Sequence, residues 1–171
     1  METTSKRERL PSRAKKPRLI HLDDNIIQHD FVSMALAGQF EVESFETPDE
    51  FFARLKQSPK PQLALVDIDL GDNTVSGVEV AKRCRRLNDD IIILMHSGLL
   101  DANAIAACLS AGADEFISKG DDEDQLCGQV VASFEQAKLK KGLRDSPPVN
   151  PYAVDRRTAP KFAGKTIKEI E

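Results

Sequence analysis

Between Arg18 and Gly142 a short apolar run is followed five times by a stretch with the spacing of an amphipathic helix. Few architectures accept that pattern. Strands separated by helices cannot pair as hairpins, so they run parallel, and the helices must cover both faces of the sheet. The apolar runs fall at residues 19–22, 41–45, 62–66, 91–95 and 114–118. The helical stretches carry their own punctuation. Residues 25–37 set Ile26, Ile27, Phe31, Met34 and Ala35 on one predicted stripe. Thr47-Pro48-Asp49-Glu50 and Ser76-Gly77-Val78-Glu79 read as capping boxes opening helices to about Gln57 and Leu87. A helix from Asp101 stops at Gly112. The last begins in Asp121-Asp122-Glu123-Asp124 and ends with Lys138, Lys140 and Lys141, each charge suiting the dipole at its end.

Composition narrows the function. The 171 residues, 40% hydrophobic, suit one domain with ends to spare. Residues 1–18 carry a net charge of +5 and residues 140–171 carry +4, which leaves −13 on residues 19–139. An acidic domain repels nucleic acid, and the chain has no Trp and one Tyr for base stacking, so the domain is not expected to bind nucleic acid directly. No apolar run reaches membrane-spanning length, and residues 1–20 have no apolar secretory segment. Cys84, Cys108 and Cys127 have no metal spacing and read as reduced thiols of a cytoplasmic protein. Residues 1–17 read as a basic disordered tail, 18–141 as the domain, and 142–171, with Pro147, Pro148, Pro151 and Pro160, as a linker or the start of a further domain.

In an open parallel sheet, ligands bind beyond the carboxyl ends of the strands. Those ends here carry Asp23-Asp24, then Asp67 and Asp69, then His96-Ser97-Gly98, then Ser118-Lys119. Clustered carboxylates raise one another's pKa unless a cation joins them, and hard oxygen ligands suit Mg²⁺. A metal and Lys119 together would receive a phosphoryl group. Asp67, leaving the apolar run Leu63-Ala64-Leu65-Val66 in the middle of the chain's strands, is the natural nucleophile for an acyl phosphate. Ser97 could donate a hydrogen bond to the phosphoryl oxygens and Lys119 pair with them. His21, His29 and His96 read as structural or exposed residues.

These residues in this order (Asp23-Asp24, LVDIDLGD around Asp67, Ser97-Gly98 and GADEFISK ending at Lys119) resemble a two-component response-regulator receiver domain over residues 18–139. The resemblance implies a flavodoxin-like (βα)5 doubly wound sheet with strand order 2-1-3-4-5. It implies phosphorylation on Asp67 with Mg²⁺, from a sensor histidine kinase or phosphotransfer protein. The chain would then be no enzyme beyond its own phosphorylation and dephosphorylation. Asp24 would ligate the metal directly and Asp23 through water, Asp67 would offer a carboxylate oxygen, and Asp69 its backbone carbonyl. Ser97 and Phe116 would be the switch pair, and a homodimer could form through helix 4, strand 5 and helix 5. By the same resemblance, Asp69 and Leu99 would occupy positions that tune phosphoryl lifetime in that family. The sequence departs from the family in having Gly120 where Pro usually follows the strand-five Lys. Its loop from Asp67 to Gly77 is also longer and lacks the usual Pro. Residues 161–171 faintly resemble the entry to the AAA+ domain of enhancer-binding activators, which implies an output domain beyond Glu171.

Two other readings stand beside this one. A haloacid-dehalogenase-like phosphatase would use Asp67 and Asp69 as its D-x-D pair, but carries that motif on its first strand. A pseudo-receiver would keep the fold and take no phosphoryl group.

Overall fold

The computed structural model describes residues 14–71, 75–98 and 101–142. The expected linker beyond Gly142, Leu99, and most of the basic N-terminal tail lie outside them. The elements alternate throughout: β1 (Arg18–Leu22), α1 (Ile26–Leu36), β2 (Glu41–Phe45), α2 (Pro48–Lys56), β3 (Leu63–Val66), α3 (Gly77–Leu87), β4 (Ile92–Ser97), α4 (Ala102–Ala111), β5 (Glu115–Ser118) and α5 (Glu123–Lys141). The strands form one parallel sheet in the order β2-β1-β3-β4-β5, as expected.

Each helix starts on a side-chain cap. Asn25, Thr47, Ser76, Asp101 and Asp122 accept from backbone amides in the first turn. Each cap satisfies an otherwise orphaned donor, a contribution of about 1 kcal/mol. Because each helix starts just beyond the carboxyl end of the strand before it, the capped ends gather at the carboxyl edge of the sheet.

The sheet divides the core in two. Ile20, Leu22, Ala64, Val66, Ile93 and Met95 pack under α2 and α3, with Phe51, Val80 and Cys84. Leu19, Leu63, Leu65, Ile92, Leu94 and Ile117 pack under α1 and α5, with Val32, Leu36, Val130 and Phe134. β3 is buried along its whole length, which is why its sequence reads as an unbroken apolar run rather than an alternation.

Two expectations need correction. The predicted stripe on α1 is wrong: Ile26, Ile27 and Met34 are 63%, 71% and 68% exposed, while Val32 and Leu36 are buried and Phe31 and Ala35 half-buried. Apolar residues surround α1 on almost every side, so periodicity could not say which face the sheet and α5 would cover. Second, β4 extends through His96 and Ser97 instead of stopping at Met95. Pairing of His96 with Ile117 and of Ser97 with Ser118 carries the strand two residues further. Cys84 and Cys108 are buried free thiols, and Cys127 is half-buried. Ser58–Pro59 is the one cis peptide among the described residues, so Lys119–Gly120 is trans.

Strand alternation puts His21 on the face of Leu19, and His96 on that of Ile92 and Leu94. Both imidazoles are buried. Burial drives both pKa values down, helped for His21 by His96, His29 and Lys119 and for His96 by Lys119, and His96 is pushed down to about 4. Unfolding exposes them to protonation near pH 6.5. The unfolded chain therefore binds more protons between about pH 6.5 and 4, and stability falls as pH drops through that window. In metal-free buffer each histidine should cost up to about 1.4 kcal/mol per pH unit there. His96→Leu, which removes two buried ring nitrogens without a hydrogen-bond partner among the described residues, should hold stability near the wild type at pH 7.5. It should lose less than wild type by pH 5.5 in urea unfolding. Parallel losses in the two proteins would show that His96 does not carry the acid sensitivity.

Candidate phosphoryl-transfer site

The strand register brings the site together. Leu22, Val66 and Met95 stand level on β1, β3 and β4, so Asp23 and Asp67 leave the sheet side by side, level with His96, which is still paired within β4. Asp23 is wholly buried and Asp67 nearly so, while Asp24 is exposed. Such burial is affordable only with a counter-ion, and Lys119 supplies it from the end of β5. Its Nζ donates to Asp23 Oδ2 at 2.6 Å and to Asp67 Oδ2 at 2.8 Å. The strand ends themselves are coupled, since the Lys119 amide donates to the Ser97 carbonyl at 2.9 Å.

The remaining carboxylate oxygens are set by local turns. Asp23 Oδ1 accepts from the Asn25 amide at 2.9 Å, and Asp67 Oδ1 accepts from the Asp69 amide at 3.1 Å. Asp69 Oδ1 in turn accepts from the Gly71 amide at 3.1 Å. The Asp69 side chain is thus engaged inside its own loop, in line with a role for its backbone rather than its carboxylate. Burial raises the Asp67 pKa, and the Lys119 hydrogen bond and charge oppose that rise. For Lys119 burial acts downward, but Asp23 and Asp67 outweigh it and hold the ammonium above its ordinary value. The site therefore keeps its cation at any physiological pH.

One ammonium does not neutralise three acids. Asp23, Asp24 and Asp67 each bring a carboxylate oxygen to within 4.8 Å of the others. That is a hard, all-oxygen donor set with an open side, which fits a small divalent cation such as Mg²⁺. A cleft of about 290 Å³ opens beside it, lined by Asp24, Asp67, Asp69, Gly71, Ser97, Gly98 and Lys119. All the residues proposed for the phosphoryl and metal chemistry meet here. Phe116 does not: it lies half-buried on β5, level with Met95, beside a separate groove with Ile105, Gln129 and Ser133.

Sequence reasoning missed three contributors. A Cβ on Gly77 would overlap the Asp67 carbonyl oxygen, so only glycine lets α3 start this close to the nucleophile. A Cβ on Gly71, which has φ +60°, would overlap Asp24 Oδ2. His29, on α1, donates from Nε2 to the Asp23 carbonyl at 2.6 Å. The two glycines could have been suspected from a loop that returns to the acids. His29 had no such signal. His96 adjoins the cluster but is 1% exposed, so it is no phosphate carrier.

Comparison with known proteins agrees with this geometry. Residues 19–131 match the model of the response regulator receiver domain. The chain is 28% identical over 141 residues to the acid tolerance regulatory protein ActR of Sinorhizobium medicae, covering 82% of this chain and 68% of that protein. It is 26% identical over 119 residues to the response regulator protein TodT of Pseudomonas putida, covering 70% of this chain and 51% of TodT, about half its length. Among solved structures, a CheY-like receiver domain protein from Methanospirillum hungatei superposes with a TM-score of 0.65. It is 24% identical and covers 74% of this chain and 99% of that one. NtrX from Brucella abortus gives 0.68 at 22% identity, covering 75% of this chain and 29% of that one. With five parallel strands in the order 2-1-3-4-5, an acid cluster at their carboxyl ends and a family match over residues 19–131, the chain belongs to the response regulator receiver domains of two-component systems.

Proposed function

We propose that this receiver takes a phosphoryl group on Asp67 from the phosphohistidine of a sensor histidine kinase or phosphotransfer protein. The observation that carries the reading is Asp67 itself: a nearly buried carboxylate at the end of the central strand, 2.8 Å from an ammonium and beside two further acids. One Asp67 oxygen would attack phosphorus in line with the departing imidazole nitrogen. The P–N bond breaks as the P–O bond forms, and the imidazole leaves with the electron pair. Mg²⁺, held by Asp24, Asp67 and the Asp69 carbonyl with Asp23 acting through water, would neutralise charge on the acids and the phosphoryl oxygens. Lys119 would exchange its bond to Asp67 for one to a phosphoryl oxygen, and Ser97 would turn its hydroxyl toward another. That movement would let Phe116 swing into the space behind Ser97 and reshape the α4–β5–α5 face for a second copy or an output partner. An output module, attached or separate, would read this face.

Intact-mass analysis with acetyl phosphate and Mg²⁺ tests the nucleophile. Wild type should gain close to one phosphoryl group per chain and Asp67→Asn none. Equal labelling would remove Asp67 from its role, repeated turnover of the donor would favour the phosphatase reading, and absence of labelling the pseudo-receiver.

Metal binding should register as stability, because the ion binds only the folded acid cluster. At a hundredfold excess over its dissociation constant, Mg²⁺ should add about 2.7 kcal/mol and raise Tm. Asp24→Ala should lose that response, yet match or exceed wild-type stability without metal, having one like charge fewer. A full Mg²⁺ response in Asp24→Ala would exclude it as a ligand.

The switch is tested by amide exchange with a phosphoryl mimic such as beryllofluoride. Exchange should change more over residues 97–120 than over residues 25–57. A uniform response would argue against a Ser97–Phe116 switch.

A further inference from the structure

All three histidines of the chain lie near Asp23. The Asp23 carbonyl lies beyond the end of β1, and its partner is a side chain from the second turn of α1: His29 Nε2, at 2.6 Å. A carbonyl can only accept, so Nε2 carries the proton whatever the state of the other nitrogen. The His29 ring is braced edge-on by His21, with centroids 5.5 Å apart and planes at 70°. His21 is wholly buried, and its Nδ1 lies 3.1 Å from Ser44 Oγ on β2. Packing thus runs from Ser44 on the edge strand, through two imidazoles in edge-on contact, to one peptide plane in the site.

That plane has particular leverage. The carbonyl of Asp23 belongs to the peptide joining Asp23 to Asp24, so fixing it restrains the backbone from which both carboxylates project. Asp23 is also held by Lys119 and the Asn25 amide. Asp24, exposed, makes no side-chain hydrogen bond among the described residues, and a Cβ on Gly71 would overlap its Oδ2. Its carboxylate therefore takes its place from the backbone, which is held at the Asp23 carbonyl by His29 and at the Asp23 amide by the Phe45 carbonyl, at 3.2 Å.

We infer that His29 is a positioning residue for the metal-binding acids, orienting the Asp23–Asp24 peptide so that the Asp24 carboxylate faces the cation. This rests on the Mg²⁺ reading given above. It assigns His29 no proton transfer and no direct metal contact. Partners that orient metal ligands are typically worth 10–100-fold in affinity, and one hydrogen bond to a backbone carbonyl belongs near the lower end of that range.

The test is a Mg²⁺ titration followed by thermal shift, on wild type, His29→Leu, His29→Gln and Asp24→Ala. His29→Leu keeps the bulk and loses the donor, and should weaken apparent Mg²⁺ affinity about tenfold. His29→Gln keeps an N–H able to reach the same carbonyl and should recover most of the loss. A second readout needs no metal: amide exchange at Asn25 and Ile27, which cap the same turn, should quicken in His29→Leu and return toward wild type in His29→Gln. If wild type fails to respond to Mg²⁺, the metal reading falls and this inference with it. If wild type responds and His29→Leu binds equally well, or His29→Gln is no better than His29→Leu, the positioning role alone is overturned.

Discussion

Everything at the carboxyl edge of this sheet depends on the ammonium of Lys119 lying between Asp23 and Asp67, at 2.6 and 2.8 Å. Two carboxylates removed from water at neighbouring strand ends would repel each other and lose solvation together. Breaking such a buried pair typically costs about 3–5 kcal/mol, because the surviving charge stays buried without its partner. The lysine also closes a mechanical circuit. It joins the end of β5 to those of β1 and β3, across a strand order that keeps β5 at the sheet's far edge. Under the proposed function, a change in charge at Asp67 would therefore reach β5 through this contact.

The same triad supports the proposal that the site takes a transient anion. The acids outnumber the local cation, so the cluster is under-neutralised, and the shortfall is what a divalent ion would supply. The Asp67 carboxyl is held above the ordinary carboxylate range by burial and restrained from rising further by Lys119. An incoming phosphoryl group would compete for that lysine. A contact that stabilises the resting protein would thus be available as binding energy if Asp67 were phosphorylated as proposed.

Most of the architecture was legible in the chain because two periodicities differ. Runs such as Leu63-Ala64-Leu65-Val66 can only be buried strands between helical stretches, and Thr47 and Ser76 mark their helix starts without help from the rest of the fold. The site acids were legible because strand ends in such a sheet must converge. Reading failed where a decision belonged to packing. Ile26, Ile27 and Met34 were assigned to the buried side of α1 and are exposed, since a helix apolar all round carries no record of which face α5 will cover. β4 continued to Ser97 because β5 was there to pair with it.

The sequence by itself determined the alternation, the parallel sheet, the acids at its carboxyl edge and the lysine that meets them, because each follows from local pattern and from the geometry of strand ends. Tertiary structure alone decided which carboxylates share the lysine, how closely Gly71 and Gly77 approach the acids, and that His29 binds the Asp23 carbonyl. Those outcomes depend on distances between elements far apart in the chain, set by how α1 and the β3–α3 loop settle on the sheet. No residue type or spacing encodes such distances one position at a time.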